Sequence, residues 1–435
     1  MLPFRDLQKR AKANDPIQVG IVGAGFLGSG VLYQILRTPG MRVPVIANRT
    51  PHKAVEALLA AGVKAADIRV CASAGEARSA LDEGLTVVTP ALSLLPHEFP
   101  EIDVVVETTG DVLFGTEVAL RTIEAKKHFV ASNPETQGTV GCILKRRAEA
   151  AGVVYSDADG DQGGILKRLY DYCAGIGFEP VVAGNCKGVM KRYATPETQA
   201  AYAKAYGIQP WIATAAADGT KLNFEMCIFA NATGMLPAKP GMTGPETSLE
   251  TLLRDFEEKG LLDRGPIIEY TMGIPVGVFI IALNRDARVR SEMNYFKMGD
   301  GPHYLFFHPR VLCQYDAVPG IAEAVLYGEE VISPGKTLVA EMATYAKRPL
   351  SSGQQLDGIG GFDCYGMVVD QKESAAGDFL PVGLSGYARL TRNLEKDEPL
   401  RVADIEWTED NALIRLWKEQ TELFSRRQIP TARAS

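Results

Sequence analysis

The chain has no paired cysteine motif. Its seven cysteines, Cys71, Cys142, Cys173, Cys186, Cys227, Cys313 and Cys364, are scattered, odd in number and free of any C-x-x-C spacing. This argues against a disulfide framework or a cysteine zinc site and fits a reducing compartment. No apolar run is long enough to span a bilayer. The opening MLPFRDLQKRAKANDP lacks the apolar stretch of a secretory signal, so a cytoplasmic location is expected. There is no excess of positive charge either. The formal net charge is -7, which favours neither nucleic acid nor an anionic membrane as a general partner. A phosphate group must therefore be held by a local basic pocket. Internal repeats and low-complexity segments are also absent. What remains is a chain of 435 residues, 46% hydrophobic and 23% charged, as in a soluble globular protein with two or three cores.

The strongest positive signal is QVGIVGAGFLGSGVLYQILR. Gln18 to Val22 form a short apolar run of strand type, Gly23, Gly25 and Gly28 follow as G-x-G-x-x-G, and Val31, Leu32, Ile35 and Leu36 recur with helical period. Gly23 permits the tight turn, Gly25 lets the backbone approach a pyrophosphate, and Gly28 lets the helix pack close to the strand. Phe26 and Leu27 lie at the helix N-terminus, whose free N–H groups and dipole face the phosphates. MRVPVIANRT reads as the second strand. Where NAD-specific folds usually place a carboxylate for the ribose 2′-OH, it carries Asn48, Arg49 and Thr50. Arginine pairs with a 2′-phosphate that a carboxylate would repel, so NADP(H) is the expected cofactor. If Arg49 is only a solvated loop residue, either cofactor serves.

Further β/α units follow. IDVVVETTG is a buried strand, TEVALRTIEAKKH an amphipathic helix, and FVASNPE and AGVVYSDADGD two more strands. Ligands of open α/β sheets lie beyond the carboxyl ends of strands, which places Thr108, Thr109, Gly110, Ser132 and Asn133 toward the nicotinamide. Ordinary turn chemistry explains the same residues equally well. In the second half, GNCKGVMKRY gathers Lys187, Lys191 and Arg192 near glycines. From Asp218 onward, ADGTKLNFEMCIFANATG fits a helix with Leu222, Met226 and Phe229 on one face and Asp218, Lys221 and Glu225 on another. That polar face is either a solvated stripe or part of a site.

Together the Rossmann segment, GNCKG, DGTKLNFE, FANATG and MGDGPHYLFFHP resemble the homoserine dehydrogenase-like oxidoreductases. YAKRPLSSGQQLDGIGGFDCYG and LPVGLSGYARLTRNL resemble the SAF domain that some of them carry at the C-terminus. The resemblance runs over nearly the whole chain. It implies an α/β architecture: a Rossmann domain over 1–155, an α+β catalytic and substrate domain over 156–324, and a β-rich SAF-like domain with a tail over 325–435. True homoserine dehydrogenases use an aspartate and a lysine four residues later at the substrate hydroxyl. Here the nearest match is Asp218 with Lys221, three apart, and no GILNGTTNY segment is present.

One branch of the family resembles a 1-deoxy-D-xylulose-5-phosphate reductoisomerase. That branch fits a substrate phosphate pocket built from Lys187, Lys191, Arg192, Lys221 and Lys239, while the glycine-flanked GNCKG, the helical spacing and the resemblance to the family's Asp–Lys pair lead to catalytic roles being expected for Lys187, Lys221, Asp218 and Glu225. Asp157, Asp159 and Asp161, with Glu135, stand at strand ends, where Mg2+ or Mn2+ would find oxygen ligands. Their alternative role is turn and cap chemistry. The D-x-D-x-D spacing is not an EF-hand, because Gln162 and Arg168 replace the required Gly and Glu. Three functions stay open: the reductoisomerase, a simple hydroxy-acid or alcohol dehydrogenase, and a non-catalytic NADP sensor. A small-molecule substrate carrying phosphate and a homo-oligomer are expected.

Overall fold

The computed structural model describes residues 3–91, 99–335 and 337–425. It divides into two units. The first comprises 1–160, 312–337 and 410–435, and the second 161–311 and 338–409. This differs from three consecutive domains because late segments return to the first core. Ala317, Val318, Ile321, Ala322 and Ala324 are buried in the same cluster as Val19, Ile21, Val31 and Ile35. Gly30, in the first long helix, leaves room for Gln314, whose Cγ would lie 2.3 Å from a Cβ there.

The first unit is built on a parallel seven-stranded sheet. Its strands are β1 (Ile17–Val22), β2 (Met41–Ala47), β3 (Ile68–Val70), β4 (Thr86–Thr89), β5 (Val104–Glu107), β6 (His128–Ala131) and β7 (Tyr155–Asp157), in the order β3-β4-β2-β1-β5-β6-β7. The near-continuous apolar runs of β1, β2 and β5 suit a sheet covered on both faces. Strand order reverses between β1 and β5, the topological switch point where such sheets bind ligands. The helix Phe26–Leu36 follows β1, and Val112–Glu124 follows β5 with Asp111 as its N-cap. The C-terminal helix is Ala412–Ser425, and the tail beyond it lies outside the described residues.

The second unit holds a mixed sheet of β8 (Glu179–Lys187), β9 (Leu236–Pro237), β10 (Ile267–Met272), β11 (Val278–Leu283) and β12 (His303–His308), ordered β12-β11-β8-β10-β9. β8 and β10 are parallel, with Tyr270 beside Asn185. A separate lobe carries the antiparallel pair β13 (Ala340–Ala346) and β14 (Cys364–Asp370), with the short pair β15 (Ala388–Leu390) and β16 (Ile405–Trp407). These short strands lie in the stretch for which the resemblance implies a β-rich part.

The helix Thr220–Thr233 joins the lobe to the sheet through polar side chains. Thr220 Oγ1 accepts from Gly366 N at 2.9 Å, and Asn223 Oδ1 accepts from Val368 N at 3.0 Å. Asn231 Oδ1 accepts from Val339 N and Ala340 N, while its Nδ2 donates to Ala340 O. Because this helix is buried on nearly every side, its polar residues are not a solvated stripe. Among the described residues, no helix is long and apolar enough to cross a membrane.

Candidate active site

At the end of β1 each glycine of the G-x-G-x-x-G can be weighed by what a side chain would strike. Gly23 has φ +100°, and a Cβ there would lie 2.7 Å from Thr108 Oγ1. A Cβ on Gly28 would lie 2.3 Å from Gly23 O and 2.5 Å from Thr108 Oγ1. The fold itself demands both. Gly25 differs: its φ is −79°, and a Cβ would meet nothing within 4 Å. Nothing internal requires glycine there, which leaves close approach by a ligand as its physical reason. Gly28→Ala is therefore expected to cost about 1–3 kcal/mol through overpacking, whereas Gly25→Val leaves stability unchanged. Thermal unfolding of the two variants checks this, and equal midpoints would contradict it.

The residues around this turn take defined places. Phe26 is exposed, and Leu27 packs on the core. Thr108 Oγ1 donates to Val22 O and approaches Gly23 O at 3.3 Å, so it braces the turn. Asn48 Oδ1 accepts from Ala24 N at 3.1 Å, and its Nδ2 donates to Thr50 O at 2.7 Å. Its amide thus ties the glycine loop to the end of β2 rather than facing outward. Arg49 is exposed and has no ion-pair partner among the described residues. The helix Pro51–Ala60 begins just beyond it, and Thr50 makes no side-chain cap there.

A buried carboxylate that sequence reasoning missed sits at the end of β5. Glu107 accepts from Thr109 N at 2.6 Å, from Thr109 Oγ1, and from Asn133 Nδ2 at 2.9 Å. Burial pushes its carboxyl up, while the Thr109 and Asn133 hydrogen bonds oppose the shift. Asn133 also caps the helix Pro134–Ala151, Ser132 N donates to Glu107 O, and Gly110 has φ +73°. A lone Glu inside an apolar strand, in VVVETTG, was the available signal.

The expected metal set is not assembled. Among the described residues, no group of three or more His, Cys, Asp or Glu is placed to hold a metal. The aspartates serve the turn: Asp159 Oδ1 accepts from Gly160 N, and Asp161 Oδ1 caps Gln162 N at the start of the helix Gln162–Gly175. Asp157 lies buried on β7, and Glu135 in the first turn of the following helix. Glu135, Asp157 and Asp159 are each buried, and among the described residues they do not form a group of three placed to hold a metal.

In the second unit the side chains do converge. Lys221 Nζ lies 3.3 Å from Asp161 Oδ2 and 3.4 Å from Glu225 Oε1. Lys221 is half-buried, whereas Glu225 is 1% exposed and accepts from Asn185 Nδ2 at 2.9 Å. With its amide turned to suit its neighbours, Gln162 donates to Asp161 Oδ1 at 2.7 Å and Glu225 Oε1 at 3.3 Å. Burial pushes the Glu225 carboxyl up and Asp161 adds to the shift, while Lys221 and Lys187 pull it down. Lys187, at the end of β8, is thus part of the same electrostatic cluster.

Asp218 is not. The expected continuous helix breaks at Gly219, whose φ is +89°, so Asp218 ends one helix (Pro210–Asp218) and Lys221 lies in the first turn of the next (Thr220–Thr233). Instead of stacking on Lys221, Asp218 Oδ2 pairs with Lys347 Nζ at 2.8 Å, with both side chains buried.

The three basic residues expected for a phosphate also part. Lys191 and Lys239 are exposed. Arg192 is half-buried, with its guanidinium 5.3 Å from the Tyr365 ring centroid and a nitrogen 3.7 Å from Met367 Sδ. Its charge also reaches Tyr270 and Tyr345, two nearly buried tyrosines, and among the described residues no carboxylate pairs with it.

A family model described as "Oxidoreductase DRL, catalytic domain" matches residues 160–317, a little over a third of the chain. On this match the chain is an oxidoreductase enzyme, and the reading as a non-catalytic sensor is not retained. No curated protein matches. Among solved structures, a homoserine dehydrogenase from Thiobacillus denitrificans is 14% identical over 89% of this chain and 98% of its own, with a TM-score of 0.45. An aldose-aldose oxidoreductase from Caulobacter crescentus is 14% identical over 74% of this chain and 92% of its own, with a TM-score of 0.40. Biliverdin reductase from Synechocystis sp. PCC 6803 is 16% identical over 41% of this chain and 49% of its own, with a TM-score of 0.28. At these identities and scores, nothing about this chain's chemistry follows from the three.

Proposed function

We propose that the chain reduces a carbonyl with NADPH at an oxygen held by Lys221 beside Glu225. In its finer form the reaction is the reductive isomerisation of 1-deoxy-D-xylulose 5-phosphate to 2-C-methyl-D-erythritol 4-phosphate, a step toward isoprenoid precursors: the C3–C4 bond breaks as a C2–C4 bond forms, the C3 hydroxyl loses its proton and becomes an aldehyde while the C2 oxygen gains one, and hydride then reduces that aldehyde. The observation that carries the reading is a half-buried ammonium between two buried carboxylates, one of which burial favours in its protonated form. Lys221 donates to the substrate oxygen and stabilises the negative charge that grows there as the C=O electron pair collects on it. The same ammonium then delivers a proton to that oxygen, and Glu225 returns one to the lysine. NADPH, when bound, supplies the hydride that completes the balance. Arg192, paired with no carboxylate among the described residues and walled by tyrosines, takes the anionic end of the substrate.

The first unit fits this cofactor in three ways. Gly25 carries no internal constraint, the helix Phe26–Leu36 has no side-chain cap, and Arg49, just after β2, has no ion-pair partner among the described residues. Arg49→Asp is expected to weaken NADPH binding and affect NADH less, as read by fluorescence titration of both nucleotides. Equal affinities in the unmutated protein would sink the NADP preference. Gly25→Val should weaken both.

A second reading is a hydroxy-acid dehydrogenase of the homoserine dehydrogenase type. The same lysine–carboxylate pair, run in reverse, would accept the hydroxyl proton, and Arg192 would hold a carboxylate. NADPH oxidation with deoxyxylulose phosphate and with aspartate semialdehyde separates the two. The first reading requires turnover with the sugar phosphate, and turnover with the semialdehyde alone would replace it with the second.

A further inference from the structure

We infer that Lys347 is the positioning residue of the second unit's site, and that the β13–β14 lobe serves to deliver it. The inference rests on Lys221 and Glu225 being the reacting centre. Lys347 follows β13 directly, and its side chain is 2% exposed. An ammonium has three N–H donors and no acceptor. Here two of them donate to backbone oxygens, Ala194 O at 2.8 Å and Gly361 O at 2.8 Å, and the charge is ion-paired with Asp218 Oδ2 at 2.8 Å, so the ammonium reaches three different stretches of chain.

Each contact leads to a part of the site. Asp218 Oδ1 accepts from Thr220 N at 2.8 Å. It thereby fixes the first turn of the helix that carries Lys221 and, one turn on, Glu225. Ala194 closes the loop that leaves β8 at Lys187 and carries Arg192. The same loop is held a second time, where Lys191 N donates to Ala217 O at 2.7 Å, next to Asp218. Gly361 belongs to a lobe turn organised by Asp357, whose carboxylate accepts from Phe362 N and Asp363 N. One buried charge therefore joins the proton-handling helix, the anion-binding loop and the lobe.

The choice of residue fits this task. A planar guanidinium matches one bidentate acceptor, whereas an ammonium serves three diverging ones. Buried ion pairs are often no more stabilising than well-packed apolar side chains. The value of this pair then lies in geometry. Asp218, read from sequence as a partner of Lys221, acts through Lys347 and the helix end instead.

The test compares a charge-neutral double variant, Lys347→Met with Asp218→Asn, against Val369→Ala, a buried apolar truncation on β14. Removing both charges avoids stranding one of them. Hydrogen exchange of the full chain is read at two peptides, one covering 188–195 and one covering 220–226. In the double variant both are expected to exchange at least tenfold faster, and together. In Val369→Ala, with a comparable loss of melting temperature, they should stay as in the unmutated protein. In turnover, the double variant should raise KM and lower kcat, for a combined loss of about tenfold or more, and move the pH limb of kcat. NADPH affinity should not change.

Unchanged exchange in both peptides, loosening of only one, or equal loosening in Val369→Ala would each overturn the positioning role. The exchange result does not depend on turnover. The reading of the reacting centre fails separately, if Lys221→Met keeps its activity.

Discussion

Lys221→Met is expected to lower kcat about a hundredfold or more while NADPH binding survives, since losing a donor to a developing oxyanion typically costs that much. Methionine keeps the length and apolar stem of the side chain and removes only the ammonium. In the unmutated protein that ammonium stands 3.3 Å from Asp161 and 3.4 Å from Glu225. Its removal therefore has a second consequence. Two carboxylates then lose the cation between them, with Lys187 still acting on Glu225, so the Glu225 carboxyl should rise further and the pH limb of kcat should shift upward with it. Steady-state kinetics across pH read both effects. Near-normal kcat and KM would mean that Lys221 is a bystander. Lys187→Met gives a graded comparison: if Lys187 acts only on substrate charge, KM rises with little change in kcat.

Glu225→Gln should move activity and stability in opposite directions. Turnover should fall about a hundredfold or more, as expected for loss of an acid–base group. Stability at mildly alkaline pH should hold or rise. Burial holds the folded-state pKa of Glu225 above its ordinary value, so the folded protein binds this proton more tightly than the unfolded chain. The contribution from this group is then fully present below the ordinary carboxylate range and is lost as pH rises through the folded value. Glutamine is neutral throughout and removes that loss, while its oxygen can still accept from Asn185 Nδ2. Melting temperatures of both proteins from about pH 5 to about pH 8 check this, the window in which such a loss would appear. A variant less stable than the unmutated protein at both ends, or one that turns over normally, would contradict the role given to Glu225.

Local features of this chain were legible because they are written locally. The strand–glycine–helix pattern at 18–36 needs only neighbouring residues, and the structure forms β1 and the helix Phe26–Leu36 there. The four-residue spacing of Lys221 and Glu225 likewise places both on one helix face. What could not be read depends on partners far away in sequence. Asn185 reaches Glu225 across 40 residues, Asp161 reaches Lys221 across 60, and Lys347 is paired with Asp218. Charge pattern alone gives no sign of such pairings.

Asp218 was misplaced for a different reason. The D-G-T sequence contains a glycine able to take the left-handed conformation that ends a helix. Helical spacing alone ran the pattern straight through it, and Gly219 breaks the helix there. The aspartates at 157, 159 and 161 show the limit from the other side. The spacing fits a metal loop as well as a turn, and the hydrogen bonds that Asp159 and Asp161 accept from Gly160 N and Gln162 N belong to the turn.

The central claim is that hydride passes from NADPH to the aldehyde carbon formed when the sugar phosphate rearranges, with the reacting oxygen served by the Lys221–Glu225 pair. The most direct measurement uses NADPH deuterated at its transferable position, mixed with the unmutated protein and deoxyxylulose phosphate, with the product analysed by mass spectrometry. The account predicts a product that carries the label with the unmutated protein, and at least a hundredfold slower labelling with Lys221→Met. An unlabelled product, or labelling at the same rate in both proteins, would contradict it.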